Sequence, residues 1–150
     1  MKKGLSYKYF VFAITCFFSA QVMFAQTLFT NNSAVIWTAP MALVAVNGDL
    51  HNIDTSITNN GQLLINGNFT NSIGTFDTNG KDMTVAGNVD LTTGSFTQGT
   101  KTITLDGAAA QSFTAGGTGA GHTPYNLTIT NASASGVTFA DSLSLAASGT

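Results

Sequence analysis

The sequence contains no glutamate and no arginine, and its one cysteine is Cys16. Each absence removes a class of chemistry. After Lys8 the only lysines are Lys81 and Lys101. A chain so poor in cations cannot neutralise a run of phosphates, so no nucleic acid is expected as a partner. Lack of arginine also removes the usual bidentate clamp for acidic sugars. Cys16 lies in an N-terminal apolar stretch. The rest of the chain therefore has no thiol nucleophile, no disulfide and no cysteine zinc site. His51 and His122 are the only histidines, and neither has a neighbour at zinc-ligand spacing. The acids are Asp49, Asp54, Asp77, Asp82, Asp90, Asp106 and Asp141. Against the two later lysines they leave a formal charge of about −5 beyond the N-terminal stretch.

So little charge is compatible with a disordered chain, but a disordered chain lacks a regular apolar pattern, and this one has it. Gly48, Gly67, Gly87 and Gly107 recur at a nearly constant interval. Each closes a short alternating run: Val44-Ala-Val46-Asn, Leu63-Leu-Ile65-Asn, Met83-Thr-Val85-Ala and Ile103-Thr-Leu105-Asp. Leu50, Phe69 and Val89 follow the glycines by two. Ile57, Phe76 and Phe96 make a second apolar column, with Trp37 one period ahead. A fixed period near twenty with columns in step marks a stacked repeat, in which each unit buries its inner face against its neighbours.

The spacing predicts an all-β fold: a right-handed parallel β-helix (β-solenoid) of about 20 residues per coil and about six coils. Twenty residues at about 3.3 Å give a perimeter of about 65 Å, enough for three short faces. Val46, Ile65, Val85 and Leu105 are expected to stack inside, as are Ile57, Phe76 and Phe96. Asp49, Asn68 and Asn88 are expected to form a hydrogen-bonded column beside the glycines. Glycine and asparagine are expected to supply corners with positive φ. The alternative is an antiparallel β-sandwich or meander. Asn47-Gly48, Asn60-Gly61, Asn66-Gly67 and Asn79-Gly80 are hairpin-forming pairs and favour it.

The N-terminus gives an address. Lys2, Lys3 and Lys8 precede the apolar run 9–20, and Ala25 is a small residue at a plausible cut. This is the pattern of a secretory signal peptide over residues 1–25, too short and interrupted to remain as a membrane span. Residues 26–43 read as an entry strand or cap, with Pro40 at an edge or corner. Residues 44–150 read as solenoid repeats, broken by a Gly-rich loop near 114–124. Nothing near Thr150 looks like a polar cap, so the chain is read as truncated there.

The repeat motifs Val44-Ala-Val-Asn-Gly-Asp-Leu50, Leu64-Ile-Asn-Gly-Asn-Phe-Thr-Asn71 and Tyr125-Asn-Leu-Thr-Ile129 resemble the repeats of large bacterial cell-surface, adhesin-like β-solenoid proteins. Such proteins are exported with a signal peptide and a type IX sorting domain, which does not occur in this sequence. The resemblance implies a secreted or cell-surface structural or adhesive role, and an outer-membrane address. Glycans or other cell-surface components are the partners it implies. It implies no catalytic residue.

The search for chemistry gives no catalytic, cofactor-binding or metal residue. Gly94-Ser-Phe-Thr-Gln-Gly99-Thr-Lys101 departs from a phosphate loop, because Thr100 intervenes before the lysine and a strand follows. Gly116-Gly-Thr-Gly119 begins like a calcium-binding nonapeptide but has Ala120 where the liganding aspartate belongs. Asp77 and Asp82 are the acids that one bend brings towards each other. A polysaccharide-binding or polysaccharide-degrading parallel β-helix is the alternative function, and hydrolysis there needs two carboxyl groups aimed at one bond. The scattered Asp columns argue against it. An ice-binding face is excluded because Thr102/Thr104 has no counterpart at Gln62/Leu64.

Overall fold

The computed structural model describes residues 29–32, 36–54 and 56–146, with the backbone alone at Trp37. The signal-peptide reading falls outside the described residues. Those residues form strands only, with no helix. The first coil holds β1 (Phe29–Asn31), β2 (Ile36–Trp37) and β3 (Leu43–Val46). The second holds β4 (Leu50–Asn52), β5 (Ser56–Thr58) and β6 (Gln62–Ile65). The third holds β7 (Phe69–Asn71), β8 (Thr75–Asp77) and β9 (Met83–Val85). The fourth holds β10 (Val89–Asp90), β11 (Ser95–Thr97) and β12 (Thr102–Leu105). The fifth has only β13 (Gln111–Thr114) and β14 (Asn126–Ile129), and β15 (Val137–Phe139) opens a sixth.

Equivalent strands pair in parallel, building three sheets: β1-β4-β7-β10-β13-β15, β2-β5-β8-β11 and β3-β6-β9-β12-β14. This is a β-solenoid of about five coils, and it decides against the antiparallel alternative. The turn at Asn79-Gly80 shows why the hairpin signal misleads. Asn79 (φ 47°) and Gly80 (φ 65°) both adopt left-handed backbone, and Lys81 N donates to Thr78 O at 3.0 Å. That is the geometry of a tight hairpin turn. Yet β8 before it and β9 after it lie in different sheets, because each finds a better partner one coil away.

The register places the apolar columns inside. Leu50, Phe69, Val89 and Phe113 are Cα partners in sequence, all buried. Ile65, Val85 and Leu105 stack in the third sheet, at most 1 % exposed. Val46, at the outer coil, is half-buried. Ile57, Phe76 and Phe96 stack in the second sheet. Phe76 meets Phe69 edge-on at 4.6 Å between ring centroids and stacks on Phe96 at 6.0 Å. Ile36, not Trp37, is the partner of Ile57, because the first coil is longer at this sheet than the coils that follow it. The inward phase therefore falls at the position before the tryptophan.

From Ala108 the regular rhythm stops, but the solenoid does not. Val89 pairs with Phe113, and Phe113 with Phe139, both steps longer than the interval between the glycines. The extra residues sit at the corners before β13 and before β15, while the loop 115–125 is no longer than the segment it replaces and takes the place of the second-sheet strand of the fifth coil. The loop is tied down. Phe96 N donates to Gly121 O at 2.8 Å, and Asp141 accepts from Ala115 N and Gly116 N through separate carboxylate oxygens. It thereby covers the edge of β11, which is otherwise open to pairing with another chain.

The rhythmic glycines differ from expectation. Gly67, Gly87 and Gly107 do not have positive φ. They are required by space. A Cβ on Gly67 sits 2.5 Å from Gly48 C, one on Gly87 sits 2.5 Å from Gly67 O, and one on Gly107 sits 2.8 Å from the Gln111 amide carbon. Stacked coils bring backbone against backbone at this corner, and a methyl group has no room.

Candidate functional site

Four polar ladders run along the solenoid, each built because corner residues recur once per coil. One is buried. Asn31 Nδ2 donates to Asn52 Oδ1 (2.9 Å), Asn52 Nδ2 to Asn71 Oδ1 (2.8 Å) and Asn71 Nδ2 to Ser95 O (2.9 Å). Asn31, Asn52 and Asn71 are at most 1 % exposed. They hold the corner between the first and second sheets. A second ladder joins Thr38, Asn59, Asn60 and Asn79. Asn60 Nδ2 donates to Thr38 O at 2.9 Å, and Asn79 Nδ2 donates to Asn60 Oδ1. Asn66 Nδ2 donates to Asn47 Oδ1 at 2.8 Å on the exterior.

The fourth is the column of Asp49, Asn68 and Asn88, in a form different from side-chain stacking. Asn68 N donates to Asp49 Oδ1 (2.7 Å), Asn88 N to Asn68 Oδ1 (2.8 Å) and Ser112 N to Asn88 Oδ1 (2.8 Å). Each side chain caps the backbone N–H of the next coil, which the corner leaves without a strand partner. Among the described residues the amide groups of Asn68 and Asn88 and the second oxygen of Asp49 make no hydrogen bond, so they remain for solvent or a ligand.

Beside this column runs the outward row of the first sheet: His51, Thr70, Asp90 and Thr114, Cα partners in turn. Together the two rows line a shallow groove of about 330 Å³ that crosses four coils. Its floor is the backbone above Leu50, Phe69 and Val89, whose side chains point into the core. Asp90 Oδ1 accepts from Thr92 N at 2.9 Å and from Thr92 Oγ1. His51 Nε2 lies 2.7 Å from Ser72 Oγ. A second hollow of about 240 Å³ is apolar. Phe29, Ile36, Val44, Ile57 and Leu63 line it at the end of the core between the first two coils.

The other acids have separate local roles. Asp77 Oδ1 accepts from Asn79 N (2.7 Å) within its own turn, and Asp82 Oδ1 from Thr102 N (3.0 Å) in the next coil. The bend therefore directs Asp77 and Asp82 to different backbone groups. Among the described residues, no cluster of three or more His, Cys, Asp or Glu side chains has metal-holding geometry. His122 stands in the covering loop. Its Nδ1 faces Leu91 O (3.0 Å) and Ala115 O (2.9 Å). Both are acceptors, so that nitrogen carries the proton. Gly94–Thr102 runs through β11, a tight turn at Gly99 and β12, which is not a phosphate cradle. The third sheet's outward row reads Ala45, Leu64, Thr84, Thr104, Thr128, so its hydroxyl ladder stops at Leu64.

Residue-level sequence reading missed two buried glutamines. Gln98 Oε1 accepts from Tyr125 N (2.8 Å), and its Nε2 donates to Asn126 O (3.0 Å). Gln111 Oε1 accepts from Gly107 N (2.9 Å), and its Nε2 donates to Val85 O (3.0 Å). Gln111 satisfies backbone groups at the corner where the coil lengthens before β13, and Gln98 where the covering loop returns to β14. The long spacing between Leu105 and the next apolar pair was the available signal.

Comparison with protein-family models, with curated proteins and with solved structures returns no match to this chain.

Proposed function

We propose that the chain is a repeat segment of a secreted or bacterial cell-surface protein with a structural or adhesive, non-catalytic role. One observation carries the reading. Polar side chains that a catalytic site would aim at substrate are spent on the backbone of the adjoining coil. Asp49, Asn68, Asn88 and Asp82 each accept from an N–H one coil on. Asp77 and Asp90 fix their own turns. What remains outward is a repeating row of hydroxyl, amide and carboxylate groups, suited to weak contacts that sum by avidity. The signal-like N-terminus and the adhesin-like repeats support export to the medium or the cell surface. Glycans or other surface components are the partners.

Two measurements test it. N-terminal sequencing of the protein recovered from its native cell is expected to begin at Gln26, in the medium or on the cell surface. An uncleaved cytoplasmic product contradicts the address. Incubation with a panel of acidic and neutral polysaccharides is expected to give binding without bond cleavage. Cleavage that disappears on replacing Asp77, Asp82 or Asp106 establishes the rival polysaccharide-degrading function.

A further inference from the structure

We infer that the groove on the outer face of the first sheet is a binding site for an uncharged, unbranched polysaccharide lying along the solenoid axis. The inference rests on the adhesive reading and adds to it a site, an orientation and a ligand class.

The chemistry of the groove selects among partners. Asp49 and Asp90 are its charged side chains, with His51 alongside, and neither Lys81 nor Lys101 lines it. A sulfated, phosphorylated or uronic-acid chain therefore meets carboxylates with no cation to offset them. A protein partner finds no apolar anchor, because Leu50, Phe69 and Val89 are at most 3 % exposed. Nor does the sheet offer an edge here, since β4, β7 and β10 are each paired on both sides.

What the groove does offer is periodic. The ladder of Asp49, Asn68 and Asn88 consumes one oxygen per side chain and leaves the Asn68 and Asn88 amides as donors. The neighbouring row adds the hydroxyls of Thr70 and Thr114 and the second oxygen of Asp90. The third, fourth and fifth coils thus each present a donor and an acceptor, repeated at about 4.8 Å, the spacing of paired strands, and the second coil adds the second oxygen of Asp49. One sugar ring of an extended β-1,4-linked chain advances by about the same distance. Successive rings then meet successive coils in the same relation, and contacts weak singly add along four coils. Both rows are fixed before a ligand arrives, by the backbone ladder in one and by strand pairing in the other. Little ordering is needed on binding.

The experiment is titration of the full chain with cellohexaose, followed by amide chemical shifts and by calorimetry. Carboxymethylated cellohexaose serves as the charged comparison. Shifts are expected at residues 49–51, 68–70, 88–90 and 112–114, with at least tenfold weaker binding of the carboxymethylated chain. Thr70→Val with Thr114→Val keeps the β-branched shape and removes two hydroxyls, and is expected to weaken binding at least tenfold. Thr84→Val with Thr104→Val, on the third sheet, is expected to leave binding unchanged. Equal binding by the first pair, or loss by the second, overturns the site. No binding of cellohexaose overturns the ligand class, and stronger binding of the carboxymethylated chain does the same. The adhesive reading is judged separately, by attachment of the native protein to immobilised cell-surface material, and survives any of these outcomes if attachment persists.

Discussion

Replacing Asn71 by aspartate tests how the buried ladder works. Asn71 is fully buried, accepts from Asn52 Nδ2 at 2.8 Å and donates to Ser95 O at 2.9 Å. Aspartate has the same shape but exchanges the donating NH₂ for an oxygen. Protonated, its hydroxyl can still donate to Ser95 O. Ionised, it sets a negative charge against a carbonyl inside the core, with Asn52 as its one donor. Burial penalises the charged form, so the folded-state pKa rises above the unfolded value of about 3.9. Below about pH 4 both states hold the proton and the variant should nearly match the native protein. As pH rises the unfolded chain ionises first. Stability relative to native then falls by about 1.4 kcal/mol per pH unit until the folded carboxyl also ionises. A rise of two to three units gives a deficit of about 3–4 kcal/mol at neutral pH. Urea unfolding of both proteins from pH 3 to 8 measures it. A difference that does not change with pH refutes the assigned hydrogen bonds.

Three further outcomes follow from packing. Phe76→Ala should cost about 3–5 kcal/mol, because Phe76 is 0 % exposed, whereas Phe139→Ala, 40 % exposed, should cost far less; chemical denaturation compares them, and equal costs contradict the register. Gly87→Ala should lose about 1–3 kcal/mol to the clash with Gly67, while Gly119→Ala, with open space around it, should stay within about 0.5 kcal/mol. Thermal melting separates the two, and equal behaviour contradicts the close stacking. Asp141→Ala should leave the core intact yet raise hydrogen exchange at Ala115 and Gly116, whose N–H groups the carboxylate holds; unchanged exchange shows that the loop is held otherwise.

The coil was legible in the sequence because its cause is periodic. Leu50, Phe69 and Val89 must each face inward once per turn, so they recur at the length of a turn. Phe113 and Phe139 belong to the same column but were hidden, since the corners before β13 and before β15 lengthen their coils beyond the regular period. The glycine rhythm was visible, but its reason was not. A sequence shows that a Cβ is missing, and only the stacked coils show that Gly48 C is what it would strike at Gly67. The Asp49–Asn68–Asn88 column was legible in position. Its bonding was not, because which backbone N–H lacks a strand partner depends on where each strand ends. The groove needed Thr70, Asp90 and Thr114 to be neighbours, and the lengthened step from Asp90 to Thr114 conceals that.

Cysteine pairing tests the parallel stack most directly. Cys16 is the chain's only cysteine, so with Cys16→Ser every thiol is an introduced one. Thr84 and Thr104 are outward Cα partners on neighbouring coils, one full period apart in the chain. Their Cα atoms, at about the 4.8 Å strand spacing, lie within the span of about 4.4–6.8 Å that a disulfide bridges. The Thr84→Cys, Thr104→Cys protein should oxidise to an intramolecular disulfide in its folded state. A second protein, Val44→Cys with His51→Cys, probes the antiparallel hairpin that Asn47-Gly48 would form, in which these two positions are directly opposed, and it should remain reduced. A disulfide in the second protein and none in the first would contradict the solenoid.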